Sequence, residues 1–380
     1  MRRSQLQLRI AGLVGALILS LAIGASAQET AAECAHCDAE ALVAELGLRE
    51  APAPVRERPG WIAPRKIVVR GDEAFVLSLQ PVAPDVELVA AANVEAAVGA
   101  APGADAVLGY CSSAVLEAGD RIQWIQIFSA GAERCVSVPD VGRRDLLLTN
   151  AQRIYGPEMA EHVMAMLFAF TRGLYRFIPK QLEGSWDRGA VSRDRMWEIN
   201  GKTMLVVGLG GIGTEVARRA HALGMRVVAT RRSSRSGPDF VDYVGLSDEL
   251  GDLVAEADVV VTALPLTPET TRMFDAEFFA AMKPTAYFIN VGRGKSVVTD
   301  DLMAALESGE LAGAGLDVTD PEPLPTDHPL WRLPNVIITP HVAASSVQAV
   351  ERLQAVVREN LRRYVAGEPM LSVVDVGRGY

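Results

Sequence analysis

The chain has 380 residues, 49% hydrophobic and 22% charged, with a formal net charge of −10. That length holds two ordinary domains with sizeable cores, and the composition excludes wholesale disorder. The acidic balance argues against nucleic acid as a partner.

Residues 1–27 differ in kind from the rest of the chain. Three arginines and no acid precede the apolar run "IAGLVGALILSLAIG", and "ASA" ends at Ala27. This is the n-region, h-region and small-residue cleavage site of a secretory signal peptide. Export to the periplasm with cleavage is expected, and Arg2-Arg3 admits the twin-arginine route. The alternatives are an uncleaved segment, the one case with membrane contact, or a cytoplasmic chain with a later start. Four cysteines, Cys34, Cys37, Cys111 and Cys135, permit disulfides without fixing their pairing. Cys34 and Cys37 form a C-x-x-C, read as a local disulfide or spare thiols. An exported thiol-redox or metal-binding module is the rival reading, although no second half of a metal site stands nearby, and no metal is expected.

Residues 28–60 read as a linker with one short helix and a Pro-rich run, "APAPVRERPG". Over 61–153, the runs 66–70, 86–91, 105–111 and 122–131 read as strands separated by helix-compatible segments, the first part of a smaller α/β domain. From 158 onward Met159, Val163, Met166, Leu167, Phe170, Leu174 and Phe177 recur at three- and four-residue steps. That spacing predicts one long helix ending near Pro179, its apolar face packed on the domain behind it or on another subunit.

Residues 154–342 read as a doubly wound dinucleotide domain. Unbroken apolar strands at 202–210, 226–230, 257–265, 286–292, 313–318 and 336–340 suit a parallel sheet covered on both faces. The helix over 300–311 has Thr299 as its expected N-cap. The final stretch, 343–380, is mostly one more helix, expected to return to the smaller substrate domain.

Gly208-Leu209-Gly210-Gly211-Ile212-Gly213 follows a strand and opens a helix, the setting in which G-x-G-x-x-G marks a dinucleotide site. Gly208 permits the turn, Gly210 lets the pyrophosphate approach the backbone, and Gly213 lets helix and strand pack closely. An NAD site would place an acid at the end of the second strand. Here that strand ends in Thr230, Arg231, Arg232 and Ser233, with no acid before Asp239. Guanidinium pairs with phosphate and hydroxyls add donors, which favours NADP(H) over NAD(H).

Three polar residues stand just after strand ends: Arg293, Glu322 and His341. Together they suit a 2-keto or 2-hydroxy acid. Arg293 would hold the carboxylate and polarise the carbonyl, and His341 would exchange a proton with the oxygen. Glu322 would orient the imidazole and favour its protonated form. The rival reading on the same fold is a non-catalytic NADP(H)-binding sensor or scaffold.

The motifs "VVGLGGIGTEVARRAHALGMRV", "INVGRGKSVVTDDLMAALESGELAGAGLDVTDPEPLP" and "HPLWRLPNVIITPHVAAS" resemble the signatures of the D-isomer-specific 2-hydroxyacid dehydrogenases. The resemblance spans roughly 100–365, and "TRRS" is similar to the NADP-preferring glyoxylate and hydroxypyruvate reductases of that family. It implies two Rossmann-like domains, the dinucleotide domain inserted in a smaller flavodoxin-like substrate domain. It further implies a homodimer, the catalytic roles of Arg293, Glu322 and His341, and a carboxylate-binding loop at "FSAG" with the amides of Ala130 and Gly131. Asp317 matches an acid near the nicotinamide, and Pro265, Val291 and Gly292 fall on the cofactor side. "GAERC" and "TNAQRIYGPEMAEH" depart from the family's usual wording, both on the substrate side, so the substrate is the open part.

Overall fold

The computed structural model describes residues 39–378. The expected signal peptide, Cys34 and Cys37 lie outside the described residues. The chain divides at Gly47. Before it the described part is one helix, Ala39–Leu46; all the other elements belong to the unit that begins at Leu48.

Two wholly parallel sheets organise that unit. The first contains β1 (Lys66–Arg70), β2 (Glu87–Ala91), β3 (Ala106–Leu108), β4 (Trp124–Gln126) and β5 (Leu147–Thr149), in the order β2-β1-β3-β4-β5. That is the flavodoxin-like order, whose direction of winding reverses between β1 and β3. The second contains β6 (Thr203–Val207), β7 (Arg226–Thr230), β8 (Tyr243–Gly245), β9 (Val259–Thr262), β10 (Tyr287–Asn290), β11 (Gly313–Leu316) and β12 (Val336–Ile338). Its order is β12-β11-β10-β9-β6-β7-β8, a doubly wound sheet with its reversal between β6 and β9.

The apolar runs form strands because both faces are covered: all five residues of β6 and all four of β9 and β10 are buried. The Gly156–Thr171 helix lays Met159, Val163, Met166, Leu167 and Phe170 in the core, against the second sheet and the Gly211–Ala222 helix. Its apolar face is thus taken by its own subunit. Gly315 of β11 makes room for it, since a Cβ there would stand 2.8 Å from Met166 Sδ. The Val347–Ala366 helix returns to the first sheet, where Val357, Leu361 and Tyr364 join the core around Ile67 and Trp124. Asn360, fully buried, is satisfied by Gln126 Oε1 at 2.8 Å and by the backbone of Leu371.

Several expectations are corrected. The long helix is two, Gly156–Thr171 and Leu174–Leu182, broken where Gly173 adopts φ +69°; Pro179 lies inside the second, not at its end. Thr299 is the first helical residue rather than the cap, and its hydroxyl donates to the Asp320 carbonyl instead. Residues 48–60, expected as linker, are folded onto the first sheet: Val55 is in its core, and Ala51 N donates to Met370 O. β5 and β8, three residues each, carry too few side chains for a pattern to register.

Candidate active site

The glycine loop sits where doubly wound sheets bind ligands, at the carboxyl ends of β6 and β9. Gly208 takes φ +99°, and a Cβ on it would meet Leu264 Cδ2 at 2.8 Å, in the loop after β9. A Cβ on Gly213 would stand 2.1 Å from the Gly208 carbonyl, so only glycine lets the helix start this close to the strand. Gly210, by contrast, faces open space, as a phosphate-approach position should. It caps the twelve-residue Gly211–Ala222 helix with no side chain of its own, leaving the positive helix end available to an anion. Ile212 is half-buried against the core behind the loop. Gly292, after buried Val291, approaches Leu264, whose carbonyl would be 3.0 Å from an added Cβ. Pro265 is exposed on the same rim, its carbonyl accepting from the Thr270 hydroxyl. These residues fit a dinucleotide.

At the end of β7, Thr230 is buried and Arg231 is half-buried. Arg231 Nε donates to the Leu209 carbonyl at 3.0 Å, so the guanidinium is braced against the glycine loop. Arg232 and Ser233 are exposed beyond it. The Glu269 carboxyl is held below the usual range, first by the Thr267 hydroxyl and last by the charge of Arg232. Arg153, whose role the sequence did not signal, packs its side chain over Gly211. Burial and the nearby charges of Arg49 and Arg231 push its guanidinium down. Cations gathered at a helix N-terminus are suited to phosphates.

Arg293, Glu322 and His341 open into one cavity of about 890 Å³, together with Gly131 and Glu133. Arg293 stands on a turn shaped by fully buried Asn290, whose side chain accepts from Gly292 N and donates to Arg293 O. His341 Nδ1 lies 2.8 Å from Glu322 Oε1, which leaves Nε2 as the ring atom for substrate. His341 itself adopts φ +54°, an uncommon conformation for a non-glycine residue. It is held there by Asp317, whose carbonyl accepts from His341 N at 2.8 Å. The Asp317 carboxylate, 2% exposed, accepts from Val342 N, Ala343 N and the Thr339 hydroxyl. These hydrogen bonds fasten the turn that carries His341, a role additional to the expected place of Asp317 beside the cofactor ring. His162 completes this support, its Nε2 2.9 Å from the Thr339 hydroxyl.

The loop after β4 is arranged for an anion. Its four carbonyls are each engaged: Phe128 O by the Tyr155 hydroxyl, Ser129 O by Ala151 N, Ala130 O by Asn150 Nδ2 and Gly131 O by the Ser129 hydroxyl. Burial pushes the Tyr155 phenol up to about 12, so it remains a donor. The amides of Ala130 and Gly131 have no acceptor among the described residues. Anion-binding backbone nests present such amides. Gly131 leaves room for the guanidinium, since a Cβ there would stand 1.8 Å from Arg293 Nη2 and displace that side chain.

Glu133, inside the divergent "GAERC", was not anticipated. Its carboxylate accepts from Arg293 Nε at 2.8 Å, joining residues 160 positions apart and orienting the guanidinium. Burial pushes its carboxyl up, but the hydrogen bond and charge of Arg293 outweigh that and hold it below the usual range. Two positions on, Cys135 is bonded to Cys111, Cα to Cα 5.4 Å, along the same cavity. Among the described residues no cluster could hold a metal ion, and no helix is long and apolar enough to cross a membrane.

The chain is similar to known proteins. The family model for the D-isomer specific 2-hydroxyacid dehydrogenase NAD-binding domain matches residues 164–343. A glyoxylate reductase of Pyrococcus furiosus is 34% identical over 261 residues, 67% of this chain and 76% of that one. Two solved structures align with TM-score 0.72 and 28% identity. One is a D-isomer specific 2-hydroxyacid dehydrogenase from Xanthobacter autotrophicus in complex with NADPH and MES, covering 84% of this chain and 100% of that one. The other is an NADPH-dependent glyoxylate/hydroxypyruvate reductase from Sinorhizobium meliloti in complex with NADP and sulfate, covering 83% and 100%.

Proposed function

The chain belongs to the D-isomer-specific 2-hydroxyacid dehydrogenase family, and from that premise we propose that it uses NADP(H) to interconvert a small 2-keto acid and its 2-hydroxy acid, with glyoxylate and hydroxypyruvate as model substrates. The observation that carries the reading is the His341–Glu322 pair set in one cavity with Arg293 and Gly131, whose amide, like that of neighbouring Ala130, is unpartnered among the described residues. The nicotinamide cofactor, when bound, supplies or accepts the hydride. The amides of Ala130 and Gly131 receive the substrate carboxylate, and Arg293 polarises the carbonyl. In reduction His341 Nε2 gives a proton to the carbonyl oxygen; in oxidation it removes one. Glu322 holds the imidazole in the tautomer and orientation this needs. Arg231 and Arg232 favour the 2′-phosphate of NADP(H) over the bare ribose of NAD(H).

The test follows NADPH and NADH oxidation side by side with glyoxylate and hydroxypyruvate, using protein from residue 28 onward. Turnover that His341→Ala abolishes while cofactor affinity persists supports the enzyme. Tight nucleotide binding without turnover overturns it in favour of a sensor.

Two further readings concern assembly and location. The Leu174–Leu182 helix and the loop after it expose Leu182 (83%) and Trp186 (94%), an apolar surface suited to a second copy. Light scattering on the purified protein, with Trp186→Ser, tests the homodimer. The Cys111–Cys135 bond supports export, since disulfides persist in oxidising compartments. Fractionation of cells producing chains with and without residues 1–27 tests it.

A further inference from the structure

The groups assigned so far account for a carboxylate, a carbonyl and a hydride, yet the same cavity holds three more cations. Arg70, Arg134 and Lys295 line it from the end of β1, the Glu133–Val136 helix and the segment after Arg293. Arg293 is balanced by Glu133 and His341 by Glu322. Among the described residues no acid stands within salt-bridge distance of any of the three, although Arg134 also acts by its charge on Glu133, and Asp320 is the one other carboxylate on the cavity wall. In a chain of net charge −10 this local excess of positive charge stands out.

Arg70 is placed with some definition. It ends β1, and Gly109 follows β3, so the two flank the point where the first sheet reverses direction. Open parallel sheets hold ligands at that point. Gly109 stands at φ +90°, and a Cβ there would come within 2.4 Å of Arg70 Cβ and 2.9 Å of Phe128 Cε2. The bare glycine therefore clears the path along which Arg70 runs beside the carboxylate loop. Its guanidinium lies 5.6 Å from the ring centre of Tyr110, a cation–π contact. Tyr110 is fixed in turn by its hydroxyl, which donates to Ala91 O.

We infer that Arg70, with Arg134 and Lys295 around it, forms a subsite for a second anionic group at the far end of the substrate. The preferred substrate is then a 2-keto acid carrying a distal carboxylate or phosphate rather than a two-carbon acid. This rests on the reductase reading of the site.

The experiment compares kcat/KM with NADPH for 2-oxoglutarate, 3-phosphohydroxypyruvate and 2-oxopentanoate, in the wild type and in Arg70→Gln and Lys295→Gln. 2-Oxopentanoate matches 2-oxoglutarate in chain length and lacks the second charge. The expected result is a clear wild-type preference for an acid with a second anionic group, whose ratio to 2-oxopentanoate falls about tenfold or more in Arg70→Gln, mainly through KM. Which of the two is better separates carboxylate from phosphate. A wild type that turns over 2-oxopentanoate as well as either of them overturns the subsite and leaves the reductase standing. So does a loss in Arg70→Gln that is equal for all three acids, which would place Arg70 on the 2-keto carboxylate they share or on the fold. No turnover of any keto acid overturns both.

Discussion

Replacing Arg231 with alanine should separate two contributions carried by one side chain. The Nε–H is spent on the Leu209 carbonyl at 3.0 Å, a brace on the glycine loop that serves either cofactor. At a half-buried position such a bond is worth about 1 kcal/mol, roughly a fivefold loss of kcat/KM shared by NADPH and NADH. The remaining guanidinium face is left for the 2′-phosphate. A charge-assisted bond of that kind contributes about 1.5–3 kcal/mol, a further loss of roughly 12- to 160-fold confined to NADPH. One compensation runs the other way: Arg231 is among the charges that push Arg153 down, so its removal eases that repulsion for both cofactors. The assay is steady-state oxidation of NADPH and NADH against one keto acid at saturation. The expected outcome is a selectivity ratio that collapses by an order of magnitude or more. If both cofactors lose the same factor, Arg231 is only a loop brace and the phosphate assignment is refuted.

Three other outcomes are expected. Gly213→Ala, which sets a Cβ 2.1 Å from the Gly208 carbonyl, should abolish NADPH binding by fluorescence titration while circular dichroism still reports the fold; unchanged binding would mean the helix start is not tightly docked. Because Arg293 holds the Glu133 carboxyl below its ordinary value of 4.5, the pair's contribution is fully present above about pH 4.5 and is lost as pH falls through the depressed folded-state value. Glu133→Gln should therefore be less stable than wild type at pH 6, with the difference narrowing on acidification; a gap that widens in acid would contradict the assignment. Reducing Cys111–Cys135, whose partners are 24 positions apart, should cost about 3 kcal/mol by loop-closure entropy, read as a lower urea midpoint with than without dithiothreitol. Cys135→Ser should show no such dependence on reductant.

The cofactor site was the more legible half of the molecule because its determinants are local. A buried strand, three glycines and a helix occupy one continuous stretch, and the missing acid at the end of β7 is visible without any partner. Arg293, Glu322 and His341 were legible for a related reason: each follows an apolar strand directly, and strand ends in a doubly wound sheet converge. Glu133 was not legible, since its meaning depends on Arg293 arriving from 160 positions away. Asp317 was assigned to the cofactor side; that its carboxylate also fastens the turn around His341 was not legible. That too is a relation between distant backbone segments, for which residue type gives no clue.

By itself the amino-acid order determined what depends on near neighbours: buried parallel strands from unbroken apolar runs, the helix opened by Gly211, and the chemistry available at each loop. It did not determine that residues 48–60 fold onto the first sheet, or that the helix after Gly156 breaks at Gly173. Nor did it choose Cys111 and Cys135 as partners. Those were decided by the tertiary structure, because burial, disulfide pairing and the Glu133–Arg293 contact each depend on segments that are remote along the chain and meet only when both sheets are assembled.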